Sequence, residues 1–217
     1  RTYDAVWDAT GARLLVADAD ASGFFSVADN GDRTLIEPPR VPVPSVGTGI
    51  SLSEVSGLAL DPTGNVLYAT DDALAAVISI DLTTGNRSVL ADANSPGVKL
   101  DSPRGIGYDT VNDRLLVADN ALDAVVAIDL TVGTGTSVSD DDSVFTNSET
   151  FASPRGHVAI ENGSSALVVD TSRDSLIRFD LTTGERTTVK EAGTAELEGI
   201  QSVVVDSVND RALVTVG

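Results

Sequence analysis

Along the whole chain, short apolar runs alternate with clusters of Asp, Asn, Gly, Thr and Pro. No run keeps the three-and-four spacing of an amphipathic helix, so the pattern predicts strands joined by tight reversals. Four segments align: AVWDATGARLLVADADASGFFSVADNGDRTLI from Ala5, GLALDPTGNVLYATDDALAAVISIDLTTGNRSVL from Gly57, GIGYDTVNDRLLVADNALDAVVAIDLTVGTGTSV from Gly105 and GHVAIENGSSALVVDTSRDSLIRFDLTTGERTTV from Gly156. A fifth, SVVVDSVNDRALVTVG from Ser202, stops halfway.

Each segment reads as four strands of different character. The first is nearly all apolar (GLAL, GIGY, HVAI, SVVV), as expected of a strand buried on both faces. A turn follows (DPTGN, DTVND, ENGSS), then a second strand (VLYAT, RLLVA, ALVVD). The third (AVISID, AVVAID, LIRFD) alternates and is expected to be half-buried. The fourth (NRSVL, ERTTV) is the most polar, as suits an outer edge. An Asp closes the second strand at Asp18, Asp71, Asp119 and Asp170, at spacings of 53, 48 and 51 residues. Another follows the third strand at Asp29, Asp81, Asp129 and Asp180.

A four-stranded unit at this period predicts an all-β fold, a β-propeller of four-stranded antiparallel blades. One such sheet cannot hide both its faces, whereas stacking around an axis buries them against neighbours. A two-sheet sandwich is the competing all-β reading, but it requires no repeat. Expected blades are 3–53, 54–102, 103–153, 154–199 and a partial 200–217, about four and a half in all. The chain opens at a first strand and ends at a second, with Val216 where a closing Asp is expected. This predicts a fragment, a processed product or the ordered part of a six- or seven-bladed ring, the remaining blades belonging to a longer parent chain.

Composition narrows the chemistry. Apolar residues make up 41 % and aromatics 4 %, so the core is aliphatic. With no cysteine there are no disulfides and no thiolate metal sites. The net charge of −19 disfavours nucleic acid, and no apolar stretch is long enough to insert in a membrane as a helix. Lys99 and Lys190 are the only lysines. The Lys-poor, Asp-rich balance fits a salt-adapted surface or simple solubility through charge.

The segment at Gly57 resembles the blade of the NHL-repeat, YWTD and SMP-30/gluconolactonase-like six-bladed propellers. Tyr68-Ala69-Thr70-Asp71 stands where a YWTD tetrapeptide would fall, while Leu116-Val117-Ala118-Asp119 and Leu15-Val16-Ala17-Asp18 are closer to the NHL style. The resemblance covers nearly the whole chain and implies the fold. It leaves function open, since those families include receptors, scaffolds, lactonases and lyases.

In such a ring, the loops leading into strand one and those joining strands two and three meet at one channel mouth. Ser102-Pro103-Arg104-Gly105 and Ser153-Pro154-Arg155-Gly156 fall there, with Glu54-Val55-Ser56-Gly57 as their counterpart. Arg104 and Arg155 are therefore candidates to bind a carboxylate, a sulfate or an acidic sugar. The alternative is that each pairs with an Asp on the next blade. His157, the sole histidine, is a candidate general acid or base, or a structural histidine without a visible orienting partner.

Asp71, Asp119 and Asp170 are metal candidates, with Asp20, Asp72, Asp123 and Asp174 nearby and Asn120 and Glu54 as further ligands. The SMP-30 resemblance implies a divalent ion held by Glu, Asn and Asp, which makes Ca2+ the expected cofactor if there is one. The alternative is that each Asp accepts backbone N–H groups and shapes its own turn. Asp140-Asp141-Asp142 reads as a peripheral Ca2+ site or a solvated loop. Two long connections, 37–54 (Pro-rich) and 139–150 (acidic), are expected to be mobile surface loops. No phosphate-binding Gly loop, nucleophile elbow or zinc spacing is present.

These features predict a secreted, periplasmic or cell-surface module that binds a protein, a glycan or an acidic small molecule without catalysis. A lactonase- or lyase-like enzyme with its site at the channel mouth is the alternative, and a structural module of a large adhesion protein is a third reading.

Overall fold

The computed structural model describes residues 2–18, 23–28, 30–35, 47–141, 150–189 and 197–217. Asp20, Asp29, Asp142, Lys190 and much of the two long connections lie outside the described residues.

The described elements are all strands. Blade 1 is β1 (Thr2–Asp8), β2 (Arg13–Asp18), β3 (Gly23–Ala28) and β4 (Arg33–Leu35). Blade 2 is β5 (Val55–Leu60), β6 (Val66–Asp71), β7 (Ala76–Asp81) and β8 (Arg87–Ala91). Blade 3 is β9 (Pro103–Asp109), β10 (Arg114–Asp119), β11 (Ala124–Asp129) and β12 (Gly135–Ser139). Blade 4 is β13 (Pro154–Ile160), β14 (Ser165–Asp170), β15 (Ser175–Asp180) and β16 (Arg186–Val189). A half-blade, β17 (Ile200–Asp206) and β18 (Arg211–Val216), follows. Each sheet is an antiparallel meander in chain order, and the inner strands β1, β5, β9, β13 and β17 stand side by side around a common axis. This is a β-propeller.

Alternation along each strand sends one set of side chains to the preceding blade and the other to the following one. The apolar core is accordingly divided into slabs between blades. Leu15, Ala17 and Phe24 of blade 1 pack on Leu58, Leu67, Ala69, Ile78 and Ile80 of blade 2. Ala59, Tyr68 and Val77 of blade 2 meet Ile106, Leu115, Val117, Val126 and Ile128 of blade 3. Leu116, Ala118 and Val125 of blade 3 meet Val158, Val168, Ile177 and Phe179 of blade 4. Leu167, Val169 and Leu176 of blade 4 meet Ile200 and Val203 of the half-blade. Each of the larger aliphatic and aromatic side chains among these contributes about 2 kcal/mol when fully buried, so a blade owes its stability to its neighbours.

Near the axis the strands approach backbone to backbone. A Cβ on Gly105 would lie 1.7 Å from the carbonyl oxygen of Gly156, and one on Gly107 1.9 Å from that of Val158. Glycines in the inner strand let β9 and β13 pack this closely. Outer edges are also covered: Gly49 bridges to Arg87 of β8 and Gly97 to Gly135 of β12. The connecting chain thereby occupies hydrogen-bonding groups that a bare edge would expose.

Candidate functional site

The closing aspartates build one mouth of the channel. Asp71, Asp119 and Asp170 are completely buried. Asp119 accepts the N–H groups of Asp101 (2.9 Å), Ser102 (3.0 Å), Ala121 (3.1 Å) and Leu122 (3.2 Å). Asp71 accepts those of Ser53, Glu54 and Leu74, and Asp170 those of Ala152, Ser172 and Arg173. Each carboxylate thus bolts the hairpin after its own strand to the segment that enters its blade. Among the described residues, no group of three or more His, Asp or Glu side chains converges as a metal-holding cluster.

In blades 2 and 3 the residue after the closing Asp ties the blade to the next, whereas in blade 4 it stays within its own blade. In blade 2 this is Asp72: its Oδ1 accepts from Ser102 Oγ at 2.5 Å and its Oδ2 lies 2.5 Å from Arg104 Nη2. In blade 3 it is Asn120, whose Oδ1 accepts from Ser153 Oγ at 2.5 Å and from Arg155 Nη2 at 3.5 Å. In blade 4 it is Thr171, which donates to Ser153 Oγ at 3.2 Å. Arg104 and Arg155 therefore reach back to the preceding blade and not to an Asp of the next one, and the partner of Arg155 there is the amide of Asn120. Both belong to the inner strand itself, since β9 begins at Pro103 and β13 at Pro154. A first-position proline is tolerated there because these are edge strands. Glu54 contributes through its backbone: its carbonyl accepts the N–H of Asp72, and its side chain is exposed.

Asp123 sits beside this mouth with φ at 46° and a buried Oδ1 that meets no hydrogen-bond donor. Burial, then the charges of Asp141 and Asp170, push its carboxyl above the usual range.

His157 lies two residues further along β13 than Arg155 and has different company. Its Nδ1 is 3.8 Å from Asp4 Oδ2, on β1 across the channel, and its N–H points to Ser202 Oγ at 3.4 Å. Asp4 is held by the N–H of Leu58 at 2.9 Å. His157 lines a depression of about 490 Å3 with Val6, Leu60, Tyr108, Ile160 and Val204, floored by inner strands of every blade. Neither Arg104 nor Arg155 lines it. Tyr108 donates to Asp113 there, and burial together with that bond raises the phenol well above its ordinary range.

The residues thus form two groups: Asp72, Ser102 and Arg104 with Asn120, Ser153 and Arg155 at the hairpin mouth, and Asp4 with His157 within the channel. Asp4 is the functional candidate that sequence reasoning missed. The signal available was a charged residue between Tyr3 and Ala5, inside a strand whose counterparts are apolar.

No protein-family model matches the chain, and no curated protein does. Solved structures do. The chain is similar to a nidogen structure determined in complex with laminin, at 17 % identity and a TM-score of 0.71, over 94 % of this chain and 68 % of that one. A candidate gluconolactonase aligns at 18 % identity and a TM-score of 0.74, over 100 % and 71 % of the two chains. Virginiamycin B lyase from Staphylococcus aureus aligns at 13 % identity and 0.62, over 93 % and 59 %. These likenesses show the β-propeller fold alone, and the proteins that share it here include a binding protein and enzymes.

Proposed function

We propose that the chain is a non-catalytic extracellular propeller module that binds a protein or a glycan through its hairpin mouth. The observation that carries this reading is the division of the polar residues. Arg104 and Arg155 are fixed by Asp72, Ser102 and Asn120 at the mouth, whereas His157 faces Asp4 within the channel. An enzyme of the lactonase or lyase type needs its acid–base group and its charge clamps within reach of one substrate. Side chains already locked by mutual hydrogen bonds lose little entropy on binding, which suits recognition. The nidogen likeness supports protein binding as a use of this fold. The charge of −19 favours a neutral or basic partner surface over an acidic one. In this reading the closing aspartates serve the fold, so calcium is not needed to build the mouth.

A second reading is favoured by one observation: Asp4, itself held by Leu58, stands where a carboxylate could orient His157. One experiment separates the two. Neutral and uronic-acid oligosaccharides and aldonolactones are titrated into the protein by calorimetry, and the same mixtures are followed for turnover. Saturable binding that weakens in Arg104→Ala/Arg155→Ala, without turnover, supports the binding module. Turnover abolished in His157→Gln overturns it in favour of the enzyme.

A further inference from the structure

Two Asn-Gly steps occur in the chain, Asn30-Gly31 and Asn162-Gly163. Such a step is chemically labile, because a glycine without a Cβ lets its backbone nitrogen approach the preceding side-chain amide. The fold treats the two differently. Gly31 N–H donates to the carbonyl of Ala28 at 2.8 Å, which holds that nitrogen in place. The Asn30 amide is clamped at both ends: Oδ1 accepts the N–H of Asp32 at 3.0 Å, and Nδ2 donates to Asp32 Oδ2 at 2.7 Å. Asn65, Asn86, Asn94 and Asn120 are protected in the first of these ways, since the N–H that follows each donates to Asp61, Thr48, Asp92 and Asp119 respectively. Asn162, exposed in the turn between β13 and β14, has neither protection. Gly163 N–H and Asn162 Nδ2 meet no acceptor among the described residues. Nor can Gly163 be exchanged for a bulkier, slower residue without strain: its φ is 77°, and a Cβ there would lie 2.5 Å from Val111 Cγ2.

We propose that Asn162 is a self-modification site at the rim of the channel depression. Gly163 N gives its proton to solvent base and attacks Asn162 Cγ. The Cγ–Nδ2 bond breaks, Nδ2 takes a proton from water and leaves as ammonia, and a succinimide ring remains. Water then opens the ring at one of its two carbonyls, which yields aspartate or isoaspartate. Ser164 assists the first step. Its N–H at 3.1 Å and its Oγ at 2.6 Å, with Ser165 Oγ at 3.4 Å, donate to Asn162 Oδ1 and stabilise the oxyanion that forms there. The product sets a new carboxylate beside Glu161, on the rim that His157 shares. Glu161 already occupies Arg178, at 2.6 and 2.7 Å, so the added charge finds that guanidinium taken. Isoaspartate also lengthens the backbone inside a turn closed by Glu161 N–H on the carbonyl of Ser165 at 2.9 Å. The modification is independent of what the hairpin mouth binds.

The test incubates the 217-residue chain in mildly alkaline buffer at body temperature, both folded and in urea. Aspartate and isoaspartate at the two Asn-Gly steps are followed by peptide mapping with mass spectrometry. In the folded protein Asn162 is expected to convert several-fold faster than Asn30, whereas in urea the two convert at similar rates. Ser164→Ala is expected to slow Asn162 several-fold in the folded protein and to leave its rate in urea unchanged. Two results overturn the proposal. One is conversion of Asn162 no faster than that of Asn30 in the folded chain. The other is a rate at Asn162 in folded Ser164→Ala equal to or above that of the parent, which would remove the hydroxyl from the step.

Discussion

Asp4 and His157 meet across the propeller axis, carboxylate Oδ2 to imidazole Nδ1 at 3.8 Å, and join the first blade to the fourth. The same Asp4 oxygen accepts the N–H of Leu58 at 2.9 Å, so one carboxylate touches three blades. Asp4→Ala leaves that N–H without its acceptor and is expected to cost about 1–2 kcal/mol in urea unfolding. Asp4→Asn keeps an acceptor oxygen and is expected to cost about half as much. Equal losses in the two variants would assign the effect to the charge facing His157 and not to Leu58.

The blades were legible because their signal is periodic. Strand characters and the closing aspartates recur in each of the four complete units, so local pattern and global fold agree. The mouth was legible in part: spacing placed Arg104 and Arg155 beside it, but the partners Asp72 and Asn120 belong to the preceding blade, and sequence order does not say which neighbour a side chain reaches. The pairing of Asp4 with His157 was not legible. Residues 153 positions apart meet only because the ring curves back on itself, and no local pattern encodes that curvature.

Asp119 illustrates what a repeated, buried carboxylate does. With four backbone N–H groups on one completely buried side chain, Asp119→Ala takes the acceptor from several donors at once. A loss of about 3 kcal/mol is expected, measured by chemical denaturation. Chelation with EDTA is expected to leave the melting temperature unchanged, because backbone N–H groups already occupy these oxygens.

Stability should fall in acid, and Asp109 gives the sign. Burial works against its charge, but hydrogen bonds from Asn112 and Arg114 outweigh burial and hold its carboxyl below the ordinary range. Asp8 and Asp206 fill the same turn position, with Arg13 and Arg211 as partners, and are lowered too. A folded-state value below the unfolded one gives stability that is present above the unfolded pKa and lost as pH falls through the folded one. The urea midpoint is therefore expected to drop below about pH 4, with a shallower drop in Asp109→Asn.

Asp123 has the opposite sign. Its carboxyl is raised by burial and by Asp141 and Asp170, so its charged form is disfavoured in the folded protein. Asp123→Asn removes that charge, and Asn tolerates the positive φ. A gain of about 1 kcal/mol at pH 7 is expected, shrinking below about pH 4 where the native side chain is itself protonated. Melting temperatures at the two pH values check this.

Gly105 carries the closest approach between inner strands, and its substitution tests whether the mouth depends on that approach. A methyl group there would sit 1.7 Å from the Gly156 carbonyl oxygen, a backbone atom that cannot rotate away. Gly105→Ala must push β9 from β13, and overpacking of this kind costs about 1–3 kcal/mol. The displacement begins next to Arg104, so it also pulls Arg104 away from Asp72. Gly64, in the turn before β6, offers a control: a Cβ there meets chiefly the side chain of Thr10, which can move. Because Gly64 has a φ of 75°, Gly64→Ala is itself strained, by about 1 kcal/mol. The two variants therefore differ less in melting temperature than in the mouth: only Gly105→Ala is expected to weaken a ligand that depends on Arg104 and Arg155.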